Sequence, residues 1–138
     1  MIGVLVITHG NFATEILKTA ELIIGEQKQA ASLGLHYGDS IEDFSLKVKD
    51  SIESLDDGEG VLVFADLFGA SPYNAAAFSA NKVKDTDFRC ITGVNLPMLL
   101  EALTSRNGSN LNDLTELCIK SGNEGIKELF NQIKINRE

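Results

Sequence analysis

The stretch GVLVFADLFGASP, residues 60–72, sets a strand, a turn and a helix start side by side. Gly60 to Ala65 is an unbroken apolar run rich in Val, too short for a helix and apolar on both sides. Such a run suits a strand buried on both faces, as in a parallel sheet covered by helices. Ser71-Pro72 has the form of an N-cap followed by proline at the first helical position. Between them, Asp66 to Ala70 forms a Gly-containing loop. One strand–loop–helix unit of this kind predicts that the rest of the chain repeats it.

The pattern does recur in both directions. Ile2 to Ile7 (IGVLVI) is a second two-sided apolar run. Phe12, Ile16, Leu17, Ala20 and Ile23/Ile24 follow at helical spacing, up to Gly25. A weaker strand spans Ala30 to Leu35. After Gly38, the sequence Asp39-Ser40-Ile41-Glu42 has capping-box form and opens a helix with Ile41, Phe44, Val48 and Ile52 on its inner face. Phe88 to Thr92 is a fourth strand, Asn95-Leu96-Pro97 opens a further helix, and Leu111 to Ile119 is also helical. Ile126, Leu129, Phe130 and Ile133 keep helical spacing beyond Gly122 and Gly125. There are no repeats or linkers, so residues 1–138 read as a single domain. The fold class is α/β: a doubly wound open sheet of four parallel strands in the order 2-1-3-4, with helices on both faces and right-handed crossovers.

Composition narrows the function. The 138 residues carry a net charge of −8 and are 43% hydrophobic, enough chain to bury roughly two thirds of its unfolded surface. The acidity argues against nucleic acid and anionic membranes as partners. No apolar run reaches membrane length and no basic segment precedes the first one, so a cytoplasmic protein without a signal peptide is expected. Cys90 and Cys118 match no metal spacing and read as two buried or idle thiols in a reducing cytoplasm. With two histidines, no metal and no cofactor is expected.

In an open doubly wound sheet, ligands bind beyond the carboxyl ends of the strands where the winding reverses, here between the first and third strands. Just past those strands lie Thr8-His9-Gly10 and Asp66 to Ser71, so the topology brings His9 and Asp66 together. Each has a plain structural reading: His9 as a turn residue, Asp66 capping loop backbone, Ser71 as an N-cap, Gly69 for backbone freedom. His36, after the outer strand with only Asp39 expected beside it, reads as structural or solvent-exposed. As a set, the residues at the switch point fit one task. A carboxylate bonded to one imidazole nitrogen fixes the tautomer and leaves the other nitrogen nucleophilic. The turn after Asp66 offers amides, Ser71 offers a hydroxyl, and the helix from Pro72 aims its positive end at the crevice. These parts suit a phosphoryl group carried on His9. No Walker-type Gly-Lys-Ser/Thr sequence is present, which favours transfer from another phosphoprotein over transfer from a nucleotide.

The motifs ITHG ending at Gly10, DLFGASPYNAA from Asp66 to Ala76 and TGVNLPMLLE from Thr92 to Glu101 resemble the IIA component of the mannose-type sugar phosphotransferase system. The resemblance runs over essentially the whole chain. It implies a phosphotransferase component in which His9 accepts a phosphoryl group from the histidine-containing phosphocarrier protein and passes it to the IIB component, with the membrane sugar permease engaged indirectly. It implies Asp66 as the orienting partner, with Leu67, Phe68, Gly69 and Ser71 at the phosphoryl group. Many relatives have Thr-Trp where this chain has Leu67-Phe68, so a side-chain hydroxyl at that point is missing here. The resemblance also implies a homodimer in which the C-terminal segment adds an antiparallel fifth strand to the partner's sheet, near Gly125 to Phe130, where periodicity alone favours helix.

Three other readings remain open. A histidine phosphatase or mutase carries its nucleophile in an Arg-His-Gly setting, and here Thr8 replaces the arginine. The phosphoryl-donor subunit of dihydroxyacetone kinase shares the fold and the histidine, but LFGASP and NLPML favour the sugar-transport component. A non-catalytic flavodoxin-like regulatory module would make the His9–Asp66 pairing incidental.

Overall fold

The structure, a computed structural model, describes residues 1–133. The chain alternates β1 (Gly3–His9), α1 (Phe12–Ile24), β2 (Ala30–Leu35), α2 (Ile41–Leu55), β3 (Val61–Ala65), α3 (Ser71–Ser79), β4 (Phe88–Ile91) and α4 (Leu96–Ser105). It then adds two consecutive helices, α5 (Leu111–Glu124) and α6 (Leu129–Ile133). The strands form one parallel sheet in the order β2-β1-β3-β4, as the sequence predicts.

Side-chain alternation divides the core into two layers. Val4, Val6, Leu62 and Phe64 face α1, α4 and α5, while Leu5, Ile7, Val61, Val63 and Ala65 face α2 and α3. Both central strands are buried on both sides, which is why they read as continuous apolar runs. Phe64 is fully buried, an interaction worth about 2–3 kcal/mol relative to exposure. Two glycines permit close approaches. A Cβ on Gly34 would lie 2.0 Å from the Gly10 carbonyl oxygen, and one on Gly122 would lie 2.5 Å from Met98 Cε. The second lets α5 lie tightly on α4.

Helix starts follow local chemistry with small displacements. Ser40 Oγ accepts the Asp43 N–H, and Asn95 Oδ1 accepts the Met98 N–H. The cap of α2 is thus Ser40, one residue beyond the Asp39 start of the capping-box reading. For α3 the expectation needs correction: Ser71 is its first residue, not its N-cap. Ala70 holds the cap position with extended backbone and no side-chain bond. Pro72 tolerates the shift because the first-turn amides have no intrahelical acceptor anyway.

At the amino ends of the strands, buried Arg106 donates to the carbonyls of Ile2 (3.2 Å), Lys28 and Gln29 (2.9 Å) and to Gln27 Oε1 (3.3 Å). Burial lowers its pKa, and peptide dipoles stand in for a counter-ion.

The C-terminal segment differs from the strand implied by the resemblance. Residues 126–128 have no regular structure, Leu129–Ile133 is a short helix, and the sheet has four strands among the described residues. A partner's edge is what such a strand would need, and the single chain supplies none. Residues 134–138 of the segment lie outside the described residues.

Candidate active site

The sheet register sets Ile7 beside Ala65, so β1 and β3 deliver His9 and Asp66 to one place. Asp66 Oδ2 accepts the His9 main-chain N–H at 3.0 Å and lies 2.7 Å from His9 Nδ1. Burial works to raise the Asp66 carboxyl, but the bonds from the His9 amide and imidazole outweigh it and the net direction is downward. The group is therefore an ionised carboxylate at neutral pH, which can only accept. Nδ1 must carry the proton, and the Nε2 lone pair is left for chemistry. The Asp66 side chain is 15% exposed and that of His9 51%, so a held carboxylate supports an accessible ring.

Below the pair runs the loop Leu67 to Ala70. Gly69 has φ +79, a left-handed conformation that favours glycine. Its carbonyl accepts the Asn74 side-chain amide at 3.1 Å, and Ala70 N–H reaches the Leu67 carbonyl at 3.4 Å. The loop is thereby tied to the first turn of α3. With no side-chain cap at this helix start, the Ser71 hydroxyl and the opening amides of α3 are not committed to capping. Leu67 and Phe68 are largely exposed, and the Phe68 ring leans on Tyr73 at 4.9 Å between centroids. Their side chains have no polar atom, so only their main chain can bind an anion.

Sequence reasoning missed one neighbour. Thr8, fully buried, accepts the Ala13 N–H at 2.7 Å and donates to the His9 carbonyl at 3.0 Å. It caps α1 in place of Asn11, whose side chain makes no cap bond. The signal was a hydroxyl residue at the end of an otherwise apolar buried strand. His36 is also closer to the site than expected: its Nε2 lies 2.9 Å from Asn11 Oδ1.

The arrangement offers a tautomer-fixed imidazole on an open rim. The two largest cavities described, about 660 Å³ between α2 and α3 and about 440 Å³ at the amino ends of the strands, include neither His9 nor Asp66. A nucleophile on a rim suits a macromolecular substrate better than an engulfed small molecule. Among the described residues no group of three or more His, Cys, Asp or Glu side chains could hold a metal ion, and no helix is long and apolar enough to cross a membrane.

Comparison with known proteins converges on one family. The EIIA-man family model, described as the PTS system fructose IIA component, matches residues 3–119. The mannose-specific EIIAB component of Escherichia coli K12 is 36% identical over 93% of this chain. The chain spans 39% of that relative's length. The fructose-specific EIIA component of Bacillus subtilis is 34% identical over 83% of this chain and 77% of its own length. Among solved structures, phosphotransferase component EIIA from Streptococcus agalactiae superposes with a TM-score of 0.85 at 32% identity, covering 93% of this chain and 97% of that one.

Proposed function

The chain belongs to the mannose-type EIIA family of the sugar phosphotransferase system, and from that premise we propose that it is a phosphoryl carrier working through a phosphohistidine on His9. The observation that carries the reading is the bond from His9 Nδ1 to a carboxylate of depressed pKa, which leaves Nε2 as the nucleophile.

The step is an in-line displacement. The Nε2 lone pair of His9 attacks the phosphorus of a phosphohistidine on the donor, for which the family implies the histidine-containing phosphocarrier protein. A new N–P bond forms at Nε2 as the donor's N–P bond breaks, and that bond's electron pair returns to the donor imidazole. The His9 ring gains positive character, which Asp66 stabilises through the Nδ1–H it already accepts. Loop amides around Phe68 and Gly69, the Ser71 hydroxyl and the positive end of α3 face the phosphoryl oxygens. The reverse geometry passes the group to a IIB component and so, indirectly, to a membrane permease. No cofactor enters the scheme.

The proposal includes a cytoplasmic protein acting as one domain, and a homodimer. Exposed Ile126, Leu129 and Ile133 support the dimer. Ile126 borders a hollow with Cys90, Ile91 and Thr92 at the open edge of β4, where an added strand would bury them. Light scattering at micromolar concentration should give twice the chain mass; a monomer would remove that part of the reading. For the carrier itself, the chain is incubated with phosphoenolpyruvate, enzyme I and the phosphocarrier, and its intact mass is recorded. A gain of one phosphoryl group, absent from His9→Ala, is the expected outcome. An unchanged wild-type mass would sink the proposal.

A further inference from the structure

β2 ends beside His9, with His9 paired to Leu35 in the register, and His36 follows at once. An amide oxygen can only accept, so at 2.9 Å His36 Nε2 donates to Asn11 Oδ1. The main chain at His36 is set from behind as well. Asp39 Oδ2 accepts the His36 main-chain N–H at 2.7 Å and lies 3.7 Å from Nδ1. Asp39 N–H closes the turn onto the His36 carbonyl at 3.0 Å. Gly34 leaves the room for this: a Cβ there would meet both the Gly10 carbonyl and His36 Cε1, the latter at 3.2 Å.

Asn11 is where the consequence falls. Asparagine ahead of a helix ordinarily folds its carboxamide back onto the first amides. Here Asn11 has φ −89 and ψ 4 and makes no cap bond, the cap being supplied by Thr8. The turn His9-Gly10-Asn11 is therefore gripped from two sides. Asp66 holds it from β3. From β2, the Leu35 carbonyl accepts Gly10 N–H at 2.8 Å, and His36 holds the Asn11 side chain.

We infer that His36 is a positioning residue for phosphoryl transfer, holding the His9 turn through Asn11 and keeping the Asn11 carboxamide off the start of α1. The inference rests on the reading of His9 as the phosphoryl acceptor. Freed of His36, Asn11 can swing over the helix start beside the incoming group, and the turn loses its only side-chain anchor from β2.

The test is the initial rate of His9 phosphorylation in the full chain with phosphoenolpyruvate, enzyme I and the phosphocarrier. Loss of one side-chain hydrogen bond makes His36→Ala about five-fold slower. His36→Gln, whose terminal amide nitrogen reaches to about the place of Nε2, restores most of the rate. Asn11→Ala loses the anchor together with the carboxamide that would swing, so it is slowed no more than His36→Ala, and the double variant is no slower than His36→Ala, since both remove the same contact. A wild-type rate in His36→Ala overturns the inference. So do equally slow His36→Ala and His36→Gln, which would mean that only the ring's bulk matters. If the wild-type chain takes no phosphoryl group, the carrier reading fails on its own. The ¹⁵N resonances of the His9 imidazole in the unphosphorylated protein then decide: His36→Ala must move them and His36→Gln return them, and unmoved signals overturn the inference.

Discussion

A single oxygen, Asp66 Oδ2, accepts both the main-chain and the ring N–H of His9, so one side chain sets the position and the tautomer of the proposed nucleophile together. Asp66→Asn keeps the shape but can present an N–H where an acceptor is needed. Losing a charge-assisted bond of this kind should slow phosphoryl acceptance about ten- to a hundredfold with little change in the circular dichroism spectrum; an unaltered rate would remove Asp66 from the chemistry. The thiols behave oppositely. Burial pushes Cys118, fully buried, up to about 12, so the native protein should leave it unlabelled by thiol reagents at pH 8 and label it only on unfolding. His9 and Asp66 were legible in the sequence because topology alone places the ends of the first and third strands together. Thr8 and Asn11 were not, since which of two neighbours caps a helix depends on the backbone angles at the turn.

At the scale of elements, α1 owes its start to a strand residue. Thr8→Val removes the acceptor of the Ala13 amide while keeping the volume, and should cost about 1 kcal/mol in denaturant unfolding; no change in midpoint would mean that another group takes over. The α4–α5 pair is clasped by Glu101, which accepts the hydroxyls of Ser105 and Ser121. The Ser105 bond first, then the Ser121 bond, hold its carboxyl below the usual glutamate range against the opposing effect of burial. Because the folded value is the lower one, this stabilisation is complete above the unfolded glutamate value of ~4.3. It is lost as pH falls through the folded value. Glu101→Gln should therefore show a shallower loss of stability on acidification, measured by urea midpoints between neutral pH and pH ~3; an identical pH profile would deny the clasp its role. Buried strands and capped helices were readable from period and cap residues. Ser71 moved by one position because proline fits either of the first two helical places. Helical spacing from Ile126 to Ile133 was read from period alone, and a short helix stands at Leu129–Ile133, while residues 126–128 ahead of it have no regular structure.

Across the whole molecule, the end of the sheet that carries the candidate site and the opposite end are held by different means. Histidine, carboxylate and loop amides gather at the carboxyl ends of the strands, while Arg106 ties residue 2 to the turn before β2 chiefly through main-chain carbonyls. Arg106→Met should take the guanidinium bonds from those carbonyls, of which Gln29 keeps only the Val4 N–H, and cost about 2–4 kcal/mol. Arg106→Lys should recover little, since one ammonium cannot span the same oxygens. Near-wild-type unfolding of either variant would contradict this account of the strand ends. The sheet order and the two-layer core followed from alternation of apolar runs and helical segments. Arg106 escaped the sequence reading because its partners are main-chain carbonyls and the neutral Gln27 amide, with no carboxylate to mark the site.

The measurement closest to the centre of the account is nuclear magnetic resonance of the chain after phosphorylation by the phosphocarrier, assigning the phosphorylated atom. A phosphoryl group on Nε2 of His9, with the proton retained on Nδ1, is the expected result. A group on His9 Nδ1, on His36 or on no histidine would contradict it.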